Sequence, residues 1–259
     1  MKLDFDGEKY KQASSQQKAW GKTLISELQL TGYERILDLG CGNGVLTASM
    51  AALVPHGSVL GIDASESMIK TAQADHGAAN LRFELQNIDA IDFEPQFDVV
   101  FSNATLHWVK DHRKLLANVF NSLSDRGVAR FQFAGDGNCS NLIAVLREVM
   151  SQEGYAGYFE RFEWPWYMPV VEQYRALIED VAFTEKKVWS QNGDKYFESV
   201  EAMARWIDQP SLVPFLGHVD AKDRRRFRDA VVGRMIDRTL QEDGTCFETF
   251  RRINVLVRK

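Results

Sequence analysis

Three glycines at alternate positions, Gly40, Gly42 and Gly44, follow the carboxylate of Asp38 in the stretch LDLGCGNG, and a second carboxylate, Asp63, closes VLGID. Glycines at this spacing let a chain turn with positive φ and bring its backbone close to a ligand. A dinucleotide loop, G-x-G-x-x-G, seats a pyrophosphate on a helix N-terminus. Here the spacing differs, and Asp38 would repel a pyrophosphate. A carboxylate at that place suits a ligand bearing an ammonium group. Asp63 suits the two hydroxyls of a ribose, with a helix N-cap or surface acid as its plainer role. His107, in SNATLHW, is the histidine best placed for a general base; its plainer role is to wall a pocket. His56, His76 and His112 fall at helix ends or in loops and are expected to face solvent, while His218 lies late enough in the chain to enter a site from above. Cys41, Cys139 and Cys246 are too far apart for a disulfide framework or zinc pattern, and no metal-ligand spacing is present.

These residues need strands that end where they stand. Arg35–Leu39, Ser58–Asp63, Leu81–Leu85, Phe97–Ser102 and Val128–Phe133 are short apolar runs that read as strands. Helices are expected between them over Val45–Leu53, from an N-cap at Ser65 to about Asp75, and over His112–Leu123. This rhythm predicts an α/β fold with a mostly parallel sheet and helices on both faces, and such sheets bind ligands beyond the carboxyl ends of their strands. After Ala134 the pattern changes. Helices are expected over Asn141–Gln152, Val170–Val181, Val200–Ile207 and Ala221–Leu240, an aromatic loop over Glu163–Pro169, a strand beginning at Val188-Trp189, and a final strand over Cys246–Arg258. These additions read as a cap over the ligand edge.

The chain has 259 residues and a net charge of −5, with no apolar run near the ~20 residues of a membrane span. Its one dense basic stretch, Lys222–Arg228, is interrupted by acid, so the basic footprint of a nucleic-acid binder is missing. A small-molecule partner fits better than nucleic acid or membrane, and nothing requires a protein partner. The polar N-terminus lacks the pattern of a secretory signal, and a reducing cytoplasm is the expected location.

ILDLGCGNG resembles the first motif of the class I S-adenosylmethionine (SAM)-dependent methyltransferases, and VLGIDASESMI resembles their second. The resemblance covers about residues 10–135. It implies a Rossmann-like fold with a seven-stranded sheet, and SAM as cofactor, leaving S-adenosylhomocysteine (SAH) as product. On this resemblance Asp38, Gly40 and Gly42 hold the methionine part. Asp63 and Ala64 take the ribose, Met68 packs near the adenine, and Asn103 lines the methionine half. Asn87-Ile88 occupies the third motif, with asparagine where the family usually has aspartate; its amide oxygen still accepts from an amino group, and Asp89 is the fallback. Tyr10, Gln17 and Trp20 resemble a lid helix in which the glutamine approaches the cofactor; an amphipathic surface helix is the alternative. The implied organisation is one methyltransferase domain over 1–259: a lid helix within about 1–30, a cofactor core over about 33–135, and cap and final strands over about 140–259.

Within the superfamily, SNATLHWVKDH, MARWIDQPSLVPFL and FETFRRINVLVRK are similar to segments of the trans-aconitate methyltransferase-like group, which esterifies free carboxylates. An ionised carboxylate needs no general base. Arginine suits its recognition, and Arg205, Arg161, Arg147 and Arg251 are the candidates, with Arg205 expected to bind substrate beside Trp108 and Trp166. Trp164, Tyr167 and Trp206 are further wall candidates; packing of the cap is the alternative for each aromatic. Two other readings stand beside carboxylate methylation. One is SAM-dependent methylation of oxygen, nitrogen or carbon on a neutral small molecule with His107 as base. The other is a SAM-binding or scaffold protein without catalysis.

Overall fold

The computed structural model describes the backbone of residues 15–259, and the side chains of these apart from 15–18, 209 and 210. Tyr10 lies outside the described residues, as does the side chain of Gln17.

Helix α1 (Ser15–Glu27) precedes strand β1 (Arg35–Leu39), and the chain then alternates through α2 (Val45–Leu53), β2 (Ser58–Asp63), α3 (Glu66–Asp75), β3 (Leu81–Leu85), β4 (Phe97–Asn103), α4 (His112–Ser122) and β5 (Leu123–Ala134). Two 3₁₀ turns, Ile88–Ala90 and Leu106–Trp108, follow β3 and β4. The remaining elements are α5 (Ser140–Met150), α6 (Val171–Glu179), β6 (Glu185–Asn192), β7 (Lys195–Phe197), α7 (Val200–Trp206), α8 (Val213–Leu216), α9 (Arg224–Thr239), β8 (Cys246–Glu248) and β9 (Arg251–Arg258).

The sheet runs β3-β2-β1-β4-β5-β9-β6, and β7 pairs separately with β8. β1 to β5 are mutually parallel; β9 is antiparallel to both β5 and β6. This is the α/β fold with a mostly parallel sheet that the strand rhythm predicts, and its seven strands are those of the Rossmann-like fold that the resemblance implies. The final strand differs in one respect: the chain breaks into β8 and β9 at Thr249-Phe250. Apolar residues on successive positions of the central strands serve two layers, because side chains alternate across a strand. Leu37 and Leu39 join one apolar layer with Val100 and Leu116, while Ile36 joins the opposite one with Met50, Val99 and Phe101. A third cluster, built on Leu142, Trp206, Phe215 and Phe227, belongs to the helices added after β5.

Strand order reverses between β1 and β4, so their carboxyl ends part and leave a crevice. Beyond β4 the sheet carries an unusual row. Arg130 and Gln132 of β5 and Asn254 of β9 are buried polar residues in the middle of the sheet. Arg130 donates to Asn254 Oδ1 at 3.0 Å and forms an ion pair with Glu27 of α1 at 2.8 Å. Helix α1 thus covers this side of the sheet with a polar seam, and buried polar groups persist only when paired in this way.

Candidate active site

The crevice opens into a cavity of about 840 Å³. Its lower part is made by strand ends. After β1 the N–H groups of Gly40 and Cys41 both donate to Ile62 O, at 2.8 and 2.9 Å, which bends the loop over the end of β2. Gly40 adopts φ +75, and a Cβ there would lie 2.1 Å from Thr105 Cγ2; Gly42 adopts φ +54, and a Cβ there would meet nothing within 4 Å. Gly40 is therefore bare because the β4 loop presses on it, and Gly42 because its outer side is open to the cavity. Asp63 accepts from Gly42 N at 3.0 Å and Ser65 N at 2.9 Å. Burial pushes its carboxyl above the ordinary range, with those backbone donors opposing the shift. Ser65 caps α3 as expected, accepting from Met68 N at 3.3 Å. Asn87 Oδ1 accepts from Asp89 N at 3.0 Å, which starts the 3₁₀ turn carrying Ile88.

Gly40, Gly42, Asp63, Ala64, Met68, Asn87 and Ile88 all line this part of the cavity, as does the fallback residue Asp89. Asp38 does not. Its side chain is 2% exposed, and Thr47 Oγ1 of α2 donates to its Oδ2 at 2.6 Å. The glycine loop climbs over the end of β1 and leaves the carboxylate underneath. Burial there pushes its pKa up to about 7, with Thr47 opposing and Asp63 adding a smaller rise. Asn103 ends β4 behind the lining, close enough to Gly21 of α1 for its Nδ2 to stand 3.1 Å from a Cβ built there.

The upper part is aromatic. Ala104 follows β4 at φ +57, a conformation uncommon for a residue with a Cβ and concentrated at functional sites. The turn Leu106–Trp108 carries His107 and Trp108 into the cavity lining. Two ties hold this turn. His112 Nε2 stands 3.0 Å from Leu106 O, and His107 O accepts from Tyr167 N at 2.8 Å. Since a carbonyl only accepts, His112 carries its proton on Nε2, and Nδ1 accepts from Tyr174 OH at 2.9 Å. His112 is buried, contrary to its expected exposure, because a helix distant in sequence supplies the Tyr174 hydroxyl; burial lowers its pKa to about 4. Lys110 Nζ donates to Trp164 O and fastens the aromatic loop to the same turn.

Trp108, Trp164 and Trp166 interlock edge to face, Trp166 standing 5.7 Å from each of the other two. After α7 the chain makes a π turn, Ile207–Ser211, closed by Leu212 N donating to Ile207 O. It brings Trp206 and Ser211 to the lining; turns of this kind recur at functional sites. Arg205, on the same helix, is exposed and outside the lining, since its side chain leaves the opposite face of α7. Arg251 pairs with Asp194, Arg147 lies over Trp164 at 5.4 Å, and neither they nor Arg161 reach the lining. His218 packs on Phe162 at 5.0 Å, also outside it.

The arginine in the cavity is Arg252, which is 4% exposed and lies over the Trp20 ring at 4.8 Å. It escapes the sequence reading although its neighbour Arg251 does not. The available signal is parity: Arg252 and Asn254 share a face of β9 with Gln132 and Gln191 of the flanking strands, of which Gln132 is buried. His107 stands near this cation. Burial first, then the charge of Arg252, hold its pKa well below the ordinary histidine value. No partner reaches its buried Nδ1 among the described residues. No group of His, Cys, Asp and Glu among the described residues is arranged to hold a metal, and no described helix is long and apolar enough to cross a membrane.

Residues 30–166 match the family model described as a methyltransferase domain. The chain is 28% identical over 238 residues to trans-aconitate 2-methyltransferase of Deinococcus radiodurans, covering 90% of each chain. It is 34% identical over 130 residues to malonyl-[acyl-carrier protein] O-methyltransferase of Bacillus anthracis, covering 49% of this chain and 48% of that one. In fold it is similar to phosphoethanolamine N-methyltransferase 2 of Haemonchus contortus, solved with phosphomonomethylethanolamine and SAH, with a TM-score of 0.59, 18% identity, and coverage of 93% of this chain and 52% of that one. The chain belongs to the methyltransferase-domain family. Its activity is SAM-dependent methyl transfer, and the open Gly42 cradle beside Asp63 fits that cofactor.

Proposed function

We propose that this enzyme methylates a carboxylate oxygen of a small molecule. One observation carries the proposal: a buried guanidinium, that of Arg252, lies in the wall of the aromatic half of the cavity. A planar guanidinium matches carboxylate. Trans-aconitate and malonyl groups, named for the two relatives, are carboxylate acceptors.

In this reading Gly40 and Gly42 cradle the methionine part of SAM, with Asn103 and Gln17 supporting it from β4 and from α1. Asp63 and Ala64 take the ribose, and Met68, Asn87 and Ile88 take the adenine. SAM, when bound, supplies a methyl group activated on a sulfonium. The protein's own residues position the acceptor and exclude water. Trp108 and Trp166 wall the acceptor, Arg252 replaces Arg205 as its anchor, and His107 is a neutral wall residue. Lid, core and cap act as one domain.

The carboxylate reading competes with a neutral acceptor deprotonated by His107. A carboxylate is already ionised above about pH 6, so kcat stays flat from about pH 6 to 9, and His107→Gln lowers it less than about threefold. The methylated product is an ester, hydrolysed by mild base. A base-stable product, with a loss in His107→Gln of the ~10² or more expected of a general base, refutes the proposal.

A further inference from the structure

We infer that Asn138 binds the acceptor, its side-chain N–H2 donating to the carboxylate oxygen that is not methylated. This rests on the carboxylate reading and deepens it by naming a donor for the acceptor. Asn138 stands in the loop between β5 and α5, at the carboxyl end of a sheet strand, where folds of this kind bind ligands. It lines the cavity and is 4% exposed.

The loop is held in a costly shape. Gly137 adopts φ +78 and Cys139 φ +53, so Asn138 sits between two left-handed residues, the second of which carries a side chain. Such conformations persist where the surroundings over-determine them, and they cluster at ligand sites. Here Gly135 N and Cys139 N donate to Arg251 O and Thr249 O, at 2.9 and 2.8 Å, and Asp136 N donates to Pro169 O at 2.9 Å. Buried Glu248 accepts from Asn141 N and Leu142 N, at 3.2 and 2.9 Å, and fixes the start of α5. Both ends of the loop are thus tied, and Asn138 is held between them.

The two ends of its amide differ. A backbone N–H only donates, so the atom that Arg251 N meets at 3.2 Å is the amide oxygen, Oδ1. That bond fixes the amide's orientation and satisfies its structural end. Nδ2 meets the Cys139 sulfur at 3.0 Å, and Cys139 also lines the cavity. Burial pushes the Cys139 thiol up, so the sulfur is a neutral thiol and a weak acceptor. An N–H2 group carries two donors, and a thiol is a poor partner for even one. A buried donor so paired gains by meeting a charged oxygen. Ring faces such as those of Trp108 and Trp166 offer a carboxylate no bond of this strength. The amide and the aromatics therefore divide the acceptor, its carboxylate at the β5 loop and its body against the rings. The unmethylated oxygen keeps a lone pair for Asn138 through the transfer. It ends as the ester carbonyl, a weaker partner because its charge is gone.

Asn138→Asp tests this, because it keeps the oxygen that Arg251 N needs and replaces the donor with a second oxygen. Full-length protein loaded with SAH is titrated calorimetrically with trans-aconitate, octanoate and 3-phenylpropanoate. SAM-supplied reactions with the same acids are analysed for methyl esters by mass spectrometry. The acid bound most tightly by the unaltered protein should also be esterified. Its Kd should rise at least about tenfold in Asn138→Asp, the loss expected of a hydrogen bond to a charged group, while the SAH Kd stays within about threefold. In parallel, NMR of the unaltered SAH complex follows the Asn138 side-chain N–H2 pair, one proton of which should move downfield when that acid is added. Suppose an acid is bound and esterified, but its Kd rises less than about tenfold in Asn138→Asp, SAH affinity falls in the same measure, or the N–H2 pair stays unmoved. Any of these overturns the inference and leaves the carboxylate reading standing. No binding and no ester from any of the acids, in protein that binds SAH, overturns both. The N–H2 signal is read on the unaltered protein, so it decides even if Asn138→Asp fails to fold.

Discussion

Asp38→Asn separates two roles for the carboxylate beneath the glycine loop. In the folded protein burial pushes the Asp38 pKa up to about 7, from 3.8 for the free side chain. A raised acid pKa means that the folded state holds a proton the unfolded chain releases, so this contribution is fully present below about pH 4 and is lost as pH rises through 7. The shift is roughly three pH units at about 1.36 kcal/mol each, or about 4 kcal/mol lost by pH 8. Asparagine stays neutral, and its amide oxygen still accepts from Thr47 Oγ1, which donates to Asp38 at 2.6 Å. Its new N–H2 group lacks an arranged acceptor, at a cost of about 1–3 kcal/mol at every pH. Urea unfolding of both proteins from pH 4 to 8 therefore yields a variant-minus-wild-type difference that rises by about 4 kcal/mol with pH. A flat difference refutes the burial argument. The second role is tested by calorimetry of SAH binding at pH 7 in two buffers of unlike ionisation enthalpy. If the SAH ammonium sits against Asp38, it stabilises the carboxylate, and binding releases about half a proton. Asp38→Asn then abolishes the release and weakens binding. No release, with unchanged affinity in the variant, leaves Asp38 as a structural acid tying β1 to α2.

Two further expectations concern the turns that shape the cavity. Gly42→Ala folds with a loss of about 1–2 kcal/mol from its positive φ, because nothing stands within 4 Å of the new Cβ, yet SAH affinity drops at least tenfold. Gly40→Ala drives a methyl into Thr105 and costs stability more heavily; equal losses of stability in the two variants, read by urea unfolding, would contradict this division. His112 has its pKa lowered to about 4 by burial, so its stabilising contribution is present above about 6.5 and lost as pH falls through 4, roughly 3 kcal/mol in all. Its ring resonances in NMR should stay those of a neutral, Nε2-protonated histidine down to about pH 4, and a midpoint near 6.5 counts against the Tyr174–His112–Leu106 chain.

What the sequence tells and withholds follows from how far apart the deciding residues lie. The central strands are legible because a sheet buried on both faces writes unbroken apolar runs, as in Ile36–Leu37 and Val99–Phe101, closed by glycine or polar turns. The lower cavity is legible for the same reason: Gly40, Gly42 and Asp63 are fixed by where β1 and β2 stop. Asp38 shows the limit, since its position predicts a ligand contact while two backbone bonds to Ile62 O lift the loop above it. His112 is misread because its burial comes from Tyr174, whose position no local spacing reports. Arg252 is missed for a subtler reason. Adjacent strand residues face opposite ways, so Arg251 meets Asp194 while Arg252 meets the cavity. The alternation alone does not say which face is covered, because the covering element, α1, is itself polar there through Glu27.

The same contrast makes the proposed cofactor and acceptor sites separable in this fold. The cofactor cradle is part of the sheet's own layers; a change at Gly40 or Asp38 is felt by Thr105, Thr47 and the strands beneath. The proposed acceptor wall draws Trp20, Trp108, Trp166, Trp206 and Arg252 from five distant segments, and its tryptophans pack into the cluster of the helices after β5 with Phe215 and Phe250. That cluster is distinct from the two layers flanking the sheet. Substitutions of similar volume within it cost little stability, and they leave the strand ends where they are. On the proposed reading, acceptor specificity shifts by repacking these aromatics while the cradle stays fixed. The guanidinium is less replaceable than the rings around it, since β9 lies inside the sheet and carries Arg252 on the same face as the paired polar row beneath α1.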